Sequence, residues 1–495
     1  MGAAGVPGRF NYEEQIPKWS RKISIHIFST GRKILAFKQN NEIIAFVKKI
    51  SSCNGAYRGI IQIPAHLGIV LALNSSGITG SQSVADTLFW VWAFPRFFSV
   101  PLELLGGLFS QIISSQGSFK CLPAGTAIRT VSLMLMMAAC LSKNSDQILI
   151  LGTLSVFMGE IGRALFTCQF QDVIKQTVQE TKTENLNLIS KCEAVEKNFL
   201  HIFRVIFAAL GTASIVLFHI FRYEKYTLLF FLPFILSIAI HLIALNESIS
   251  WSSIRSKSVR PKMELFKQTI PQIKHFFISR NIYWSLGAGG FIFLYIYLIN
   301  FSAIRSDIFS SKNQAMNLNV HHAIYASILA ILPPMAAWTS NLILLKKTYV
   351  KFKNLSQGYL GVFLLSLWFV FALMGEILNL SSSYRMIWVF SFAFLFGPLQ
   401  TWIGWQRIPI LTKAESDPNN SSLFQSSHVF YYTLISSSME LSIAIFGSFI
   451  KFAPTSQLNL ALFLIGLGSI GLILIWKFNF EKYLTKRNMP NAIQS

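Results

Sequence analysis

The chain has 495 residues, of which 52% are hydrophobic and only 13% charged, against roughly 25% charged in a soluble domain. So few charges cannot cover the surface of a soluble protein of this length, and a mean hydropathy of +0.48 with 44 phenylalanines excludes a disordered chain or a disulfide scaffold. The formal net charge of +22 would suggest nucleic acid in a soluble protein, but here the basic residues fall between apolar runs in regular order, and no nucleic-acid partner is expected.

Residues 1–55 form a basic arm carrying Arg9, Lys18, Arg21, Lys22, Arg32, Lys33, Lys38, Lys48 and Lys49, with no apolar core of a cleavable signal next to its first charges. Apolar runs of about 20 residues follow, each enough to cross some 30 Å of hydrocarbon. They lie near 56–74, 86–111, 121–141, 147–168, 198–219 and 226–245, then 282–303, 321–344, 358–378, 385–405, 428–450 and 458–477. The first holds Pro64 and His66; an alternative start lies near Ile43, with Lys48 and Lys49 snorkelling. The expected fold is therefore all-α and integral to the membrane, with twelve crossing helices.

Loop charge sets the orientation. With the N-terminus inside, the inward loops hold Lys120, then Lys175, Lys182, Lys191 and Lys197, the cations of 246–281, then Lys346, Lys347, Lys351 and Lys353, and Arg407 and Lys413. The outward loops hold Lys143, Arg222, Lys225, Arg305, Lys312, Arg385 and Lys451. Both termini are thus predicted on the cytoplasmic side of the cell (inner) membrane, where the basic loops meet anionic lipid. Residues 246–281 form a basic linker between a bundle at 56–245 and a second at 282–477, and 478–495 a cytoplasmic tail. A shift of 238 residues places Pro95 on Pro333 and Gly159 on Gly397, and polar segments follow at 169–197 and 406–427. Such weak internal symmetry is common in transporters.

Two six-span halves, a basic central loop, inward termini and short outer loops resemble the major facilitator superfamily. The likeness covers about 56–480 and is strongest from Gly106-Gly107-Leu108-Phe109-Ser110-Gln111 through Gly159-Glu160-Ile161-Gly162-Arg163. Gln111 stands where that family usually places an acid, Lys120 is the lone cation of the loop, and Asn341 stands at the equivalent place in the second half. The resemblance implies a monomeric secondary carrier, by symport or antiport, that moves a small, anionic organic solute by alternating access, coupled to protons. It implies no cofactor, no metal and no enzymatic activity. The alternative is a flippase or drug exporter of the multidrug/oligosaccharidyl-lipid type, which also has twelve spans. A membrane-embedded enzyme would need a catalytic His or acidic cluster at one interface, and the sequence offers none.

A charge at mid-membrane costs about 2.5–3.5 kcal/mol, so intramembrane charges mark candidate sites. Arg96, Glu160, Arg163 and Glu440 fall at similar predicted depth, with Glu103 two turns below Arg96 and Arg204 in the fifth span. The functional reading has an arginine holding an anionic group, which its planar fork suits, and a carboxylate carrying the proton. The structural reading is a buried pair, Glu160 with Arg163 one turn apart, or Arg96 with a neighbour. Gln400 is a further cavity candidate. Pro95, Pro333 and Pro334 are candidate gating kinks, because proline frees a backbone carbonyl. His201, His219, His241, His321 and His322 read as interfacial. Two signals fail. Gly466-Leu467-Gly468-Ser469-Ile470-Gly471 lies inside an apolar span and fits helix packing better than a nucleotide loop. The five cysteines have no CxxC spacing.

Overall fold

The computed structural model describes residues 41–78, 86–115, 118–180, 186–221, 227–255 and 320–347, with three further positions at 387, 391 and 394. Six described helices are long and apolar enough to cross a membrane. The protein is all-helical over these residues, and each of the six spans predicted between 56 and 245 coincides with an observed helix. Of the second predicted bundle, the helix predicted near 321–344 is observed. The other five predicted spans lie outside the described residues, apart from positions 387, 391 and 394.

The first helix, α1, runs Asn41–Ser75 and takes the earlier of the two predicted starts. At 35 residues it is about 52 Å long, well beyond the hydrocarbon thickness. Its Asn41 end is tied down by Lys49 Nζ, 2.7 Å from Glu247 Oε2. The helix breaks at Gln62 (φ −76°, ψ −105°). Pro64 lacks the N–H that would bond the carbonyl of Ile60, and the ladder resumes with His66 N–H donating to Gln62 O at 3.2 Å.

The second helix, α2, opens with a π-helical stretch, Thr87–Ala93, and continues as Phe94–Ser115. Pro95 and Pro101 remove two more ladder donors. Thr153 Oγ1 from the neighbouring helix donates to the Trp90 carbonyl at 2.8 Å. The remaining elements are α3 (Cys121–Leu141), α4 (Ser145–Glu180), α5 (Leu186–Phe221), α6 (Leu232–Arg255, preceded by the turn Thr227–Phe230) and α7 (Val320–Lys347). Residues 169–180 and 186–197, expected as a polar loop, are helical extensions of α4 and α5. No glycine or proline interrupts the chain between Arg163 and Leu210, so both helices run to 36 residues.

Packing follows the rule for membrane helices, in which small residues bring backbones close. A Cβ on Gly125 of α3 would meet Gly162 O of α4 at 2.8 Å, and one on Gly162 would meet Gly125 O at 2.9 Å. Ser132 Oγ donates to Ser155 O at 2.8 Å and Ser155 Oγ to Ser132 O at 2.7 Å, locking the same two helices. Gln169 of α4 accepts from Leu122 N–H at the start of α3 and donates to Ser118 O at 2.9 Å. α2 lies against α4, α6 against α3, and α5 against both α1 and α7. Ile60, Ile69, Leu133, Val216, Phe231 and Phe234 anchor the central core, and α1 is its most enclosed crossing helix. Toward the Asn41 end, Phe46 stacks on Trp251 at 4.2 Å beside Phe166 and Phe170. Leu236, Leu242, Ile243, Ile249 and Ile254 of α6 remain exposed, as a lipid-facing helix requires.

Candidate functional site

The site begins with helical spacing. On α4, Glu160 and Arg163 are one turn apart; on α2, Arg96 and Glu103 are two turns apart. Because α2 packs along α4, the four charges interleave. Arg96 Nε donates to Glu160 Oε1 at 3.0 Å. Glu160 Oε2 lies 2.6 Å from Arg163 Nε, an ion pair without hydrogen-bond alignment. Arg163 Nη2 donates to Glu103 Oε2 at 2.8 Å, and Ser99 Oγ donates to Glu103 Oε1 at 3.1 Å. The result is an alternating chain, Arg96–Glu160–Arg163–Glu103, with no net charge. The Glu103 side chain is fully enclosed, and the other three are between 12% and 23% exposed.

Both structural pairings expected from the sequence are thus present, in one network. The contact between Glu103 and Arg163 was not expected, since Glu103 had been placed only with Arg96. Arg204 is buried elsewhere, its Nε donating to Gln62 Oε1 at 2.9 Å beside the break in α1. Pro95 opens the α-helical part of α2 and Pro333-Pro334 lies within α7, as predicted. Glu440 and Gln400 lie outside the described residues.

A second buried cation was missed. Arg129, near the middle of α3, is 1% exposed. Its Nη1 donates to Asn54 Oδ1 at 3.1 Å, and its guanidinium lies 4.5 Å from the Tyr57 ring centre and 4.7 Å from that of Phe166. Its Nε has no acceptor among the described residues, and no carboxylate pairs with it. Ser132 gives its proton to Ser155 O, so the Tyr57 hydroxyl donates to Ser132 Oγ at 3.0 Å. That hydroxyl fills a notch over Gly159 where any Cβ would collide. The Arg129 pocket therefore abuts α4 one residue from Glu160. Arg129 is the lone charge of its span, so a scan for intramembrane charges is enough to find it.

Trp92 was missed as well. Its ring lies beneath the Arg96 guanidinium, 5.2 Å from ring centre to Cζ, and is stacked on His66 at 5.8 Å and 25°. Its indole N–H has no acceptor among the described residues. No sequence pattern marks it, because tryptophan is ordinary in an apolar span.

No family profile matches the chain, and no curated protein matches it in sequence. Solved structures do match in fold. A bacterial homologue of the human drug peptide transporters PepT1 and PepT2 superposes with a TM-score of 0.58 at 14% identity, over 90% of this chain and 100% of that one. The xylose transporter XylE from E. coli, in a partially occluded inward-open conformation, gives 0.59 at 12% identity over 88% and 98%. A D-xylose–proton symporter gives 0.56 at 12% over the same shares. The chain has the fold of major facilitator superfamily transporters.

Proposed function

We propose that this protein is a secondary active transporter of the major facilitator superfamily, and that it moves a small organic solute bearing an anionic group, by alternating access and with proton coupling. It works as a monomer, with two pseudo-symmetric six-helix bundles, both termini cytoplasmic and its basic loops against anionic lipid of the inner membrane. The observation that carries this reading is the ion chain. Glu160 is clasped between two arginines, so one proton on its carboxylate weakens both of its ion pairs at once, while Arg163 keeps its contact with Glu103. Arg96, relieved of that carboxylate, can then turn to an anionic group, for which its planar fork is suited. Loss of the cargo and return of the proton close the chain again. Pro95, Pro333 and Pro334, which each remove a ladder donor, are the points at which α2 and α7 would flex during rocking, with Glu440 and Gln400 as the contribution of the second bundle to the cavity.

The fold likeness to proton symport and peptide carriers supports this reading over the multidrug/oligosaccharidyl-lipid alternative. The test is uptake into vesicles reconstituted with the full chain, using labelled dialanine, D-xylose, succinate and glycerol 3-phosphate, with and without an inward proton gradient. Gradient-stimulated uptake of one of them, abolished by E160Q, is expected. Uptake by E160Q with undiminished gradient dependence would remove Glu160 from the mechanism.

A further inference from the structure

Resting on the carrier reading above, we propose that Trp92 is a cargo-binding residue and that the group it takes is an oxyanion, a carboxylate or a phosphate. A buried tryptophan ordinarily finds an acceptor for its indole N–H, because leaving a buried donor unmatched is costly. Trp92 is 6% exposed, and its Nε1 meets no acceptor among the described residues. The residue faces the protein interior, so bilayer lipid does not answer the deficit. It sits in the last turn of the π-helical stretch Thr87–Ala93, and π-bulges accompany functional sites more often than ordinary helix does. The ring is held in place by His66 on α1 and carries the Arg96 guanidinium. An oriented N–H thus stands beside a cation at the end of the ion chain.

The sign of the partner follows from the charges around it. Over their whole lengths the six crossing helices hold eight lysines and arginines against six aspartates and glutamates. An interior with that excess attracts an anion and repels a cation. A neutral polyol can accept from the indole and from the guanidinium but lacks the charge attraction that an oxyanion adds. Trp92 and Arg96 together therefore select an oxygen acceptor that is also negatively charged.

The test needs no knowledge of the natural cargo. The full chain, labelled with 15N at its indoles and held in lipid nanodiscs, gives one N–H resonance per tryptophan, and W92F identifies that of Trp92. Succinate, glycerol 3-phosphate and D-xylose are added in separate titrations. A shift of the Trp92 resonance with succinate or glycerol 3-phosphate, and none with D-xylose, is expected; which oxyanion acts separates carboxylate from phosphate. R96Q should weaken the response at least tenfold. No shift with either oxyanion, or an equal shift with D-xylose, overturns the proposal. In the uptake assay W92F keeps an aromatic ring and loses the N–H donor. KM for the transported oxyanion should rise about tenfold with kcat retained, and an unchanged KM also overturns it. An indole response without any gradient-driven uptake would leave the binding site standing and sink the carrier reading instead.

Discussion

The N-terminal bundle buries charge in two ways, side by side on α4. Along the α2 face, Glu160 and Arg163 join an alternating chain in which every charge has an opposite neighbour within 3.0 Å. Along the α3 face, Arg129 is held by two aromatic rings and one amide, with no carboxylate among its partners in the described residues. The chain consists of exchangeable pairs: protonating or displacing one member changes the state of its neighbours. The Arg129 pocket holds a cation by polarisability and shape, and no single proton undoes it. The first arrangement suits a part that changes state during a cycle, and the second a fixed brace.

The sharpest way to break this contrast is to remove the shared carboxylate. E160Q takes from Arg96 its Glu160 carboxylate and leaves Arg163 its contact with Glu103, so it should destabilise the protein by about 3 kcal/mol as well as abolish gradient-driven uptake. The drop in thermal midpoint in detergent measures the first effect. Exchanging charges across the pair at the far end gives the next effect. Either E103R or R163E alone should be severely destabilised, while the double exchange recovers about 1–3 kcal/mol of coupling. Strict additivity of the two would mean that Glu103 and Arg163 do not interact. In the Arg129 pocket the expectation is milder. R129M loses two ring contacts, each about 2 kcal/mol when desolvated, and also removes an unpaired buried charge, so its net cost should stay within about 2 kcal/mol. A loss as large as that of E160Q would show that the pocket needs its charge as much as the chain does. G159A pushes the Tyr57 hydroxyl out of its notch and should cost about 1–3 kcal/mol through overpacking, seen as a lower unfolding midpoint with uptake reduced in proportion. The smallest effect belongs to K49A, whose partner Glu247 is partly solvated, at about 0.5 kcal/mol or less in the same assay.

Much of the first bundle was legible. Its spans are long apolar runs, and burial in lipid forces each to be a helix, so composition settles both length and type. The break in α1 was foreshadowed by Pro64, and the pairing of Glu160 with Arg163 by their one-turn spacing. Three features were not readable. The choice between the two candidate starts of α1 was open, because the stacking of Phe46 on Trp251, some two hundred residues away, is not in the sequence. The helical extensions at 169–180 and 186–197 read as a loop, because polarity was taken for irregularity although no residue there breaks a helix. The Trp92 donor was invisible, since only packing reveals that its N–H has no acceptor among the described residues.

Hydropathy and loop charge, summed over hundreds of residues, by themselves determined that this chain is a bundle of membrane-crossing helices, and helical periodicity put Arg96 and Glu103 on one face and Glu160 and Arg163 on another. Only the tertiary structure decided that those two faces meet, that Arg129 rests between aromatic rings, and that Trp92 stacks on His66 beneath Arg96. The physical reason is range. Spacing within one helix follows from backbone geometry, whereas contact between helices depends on where small residues such as Gly125 and Gly162 let two backbones approach, and that is settled by all the packed surfaces together.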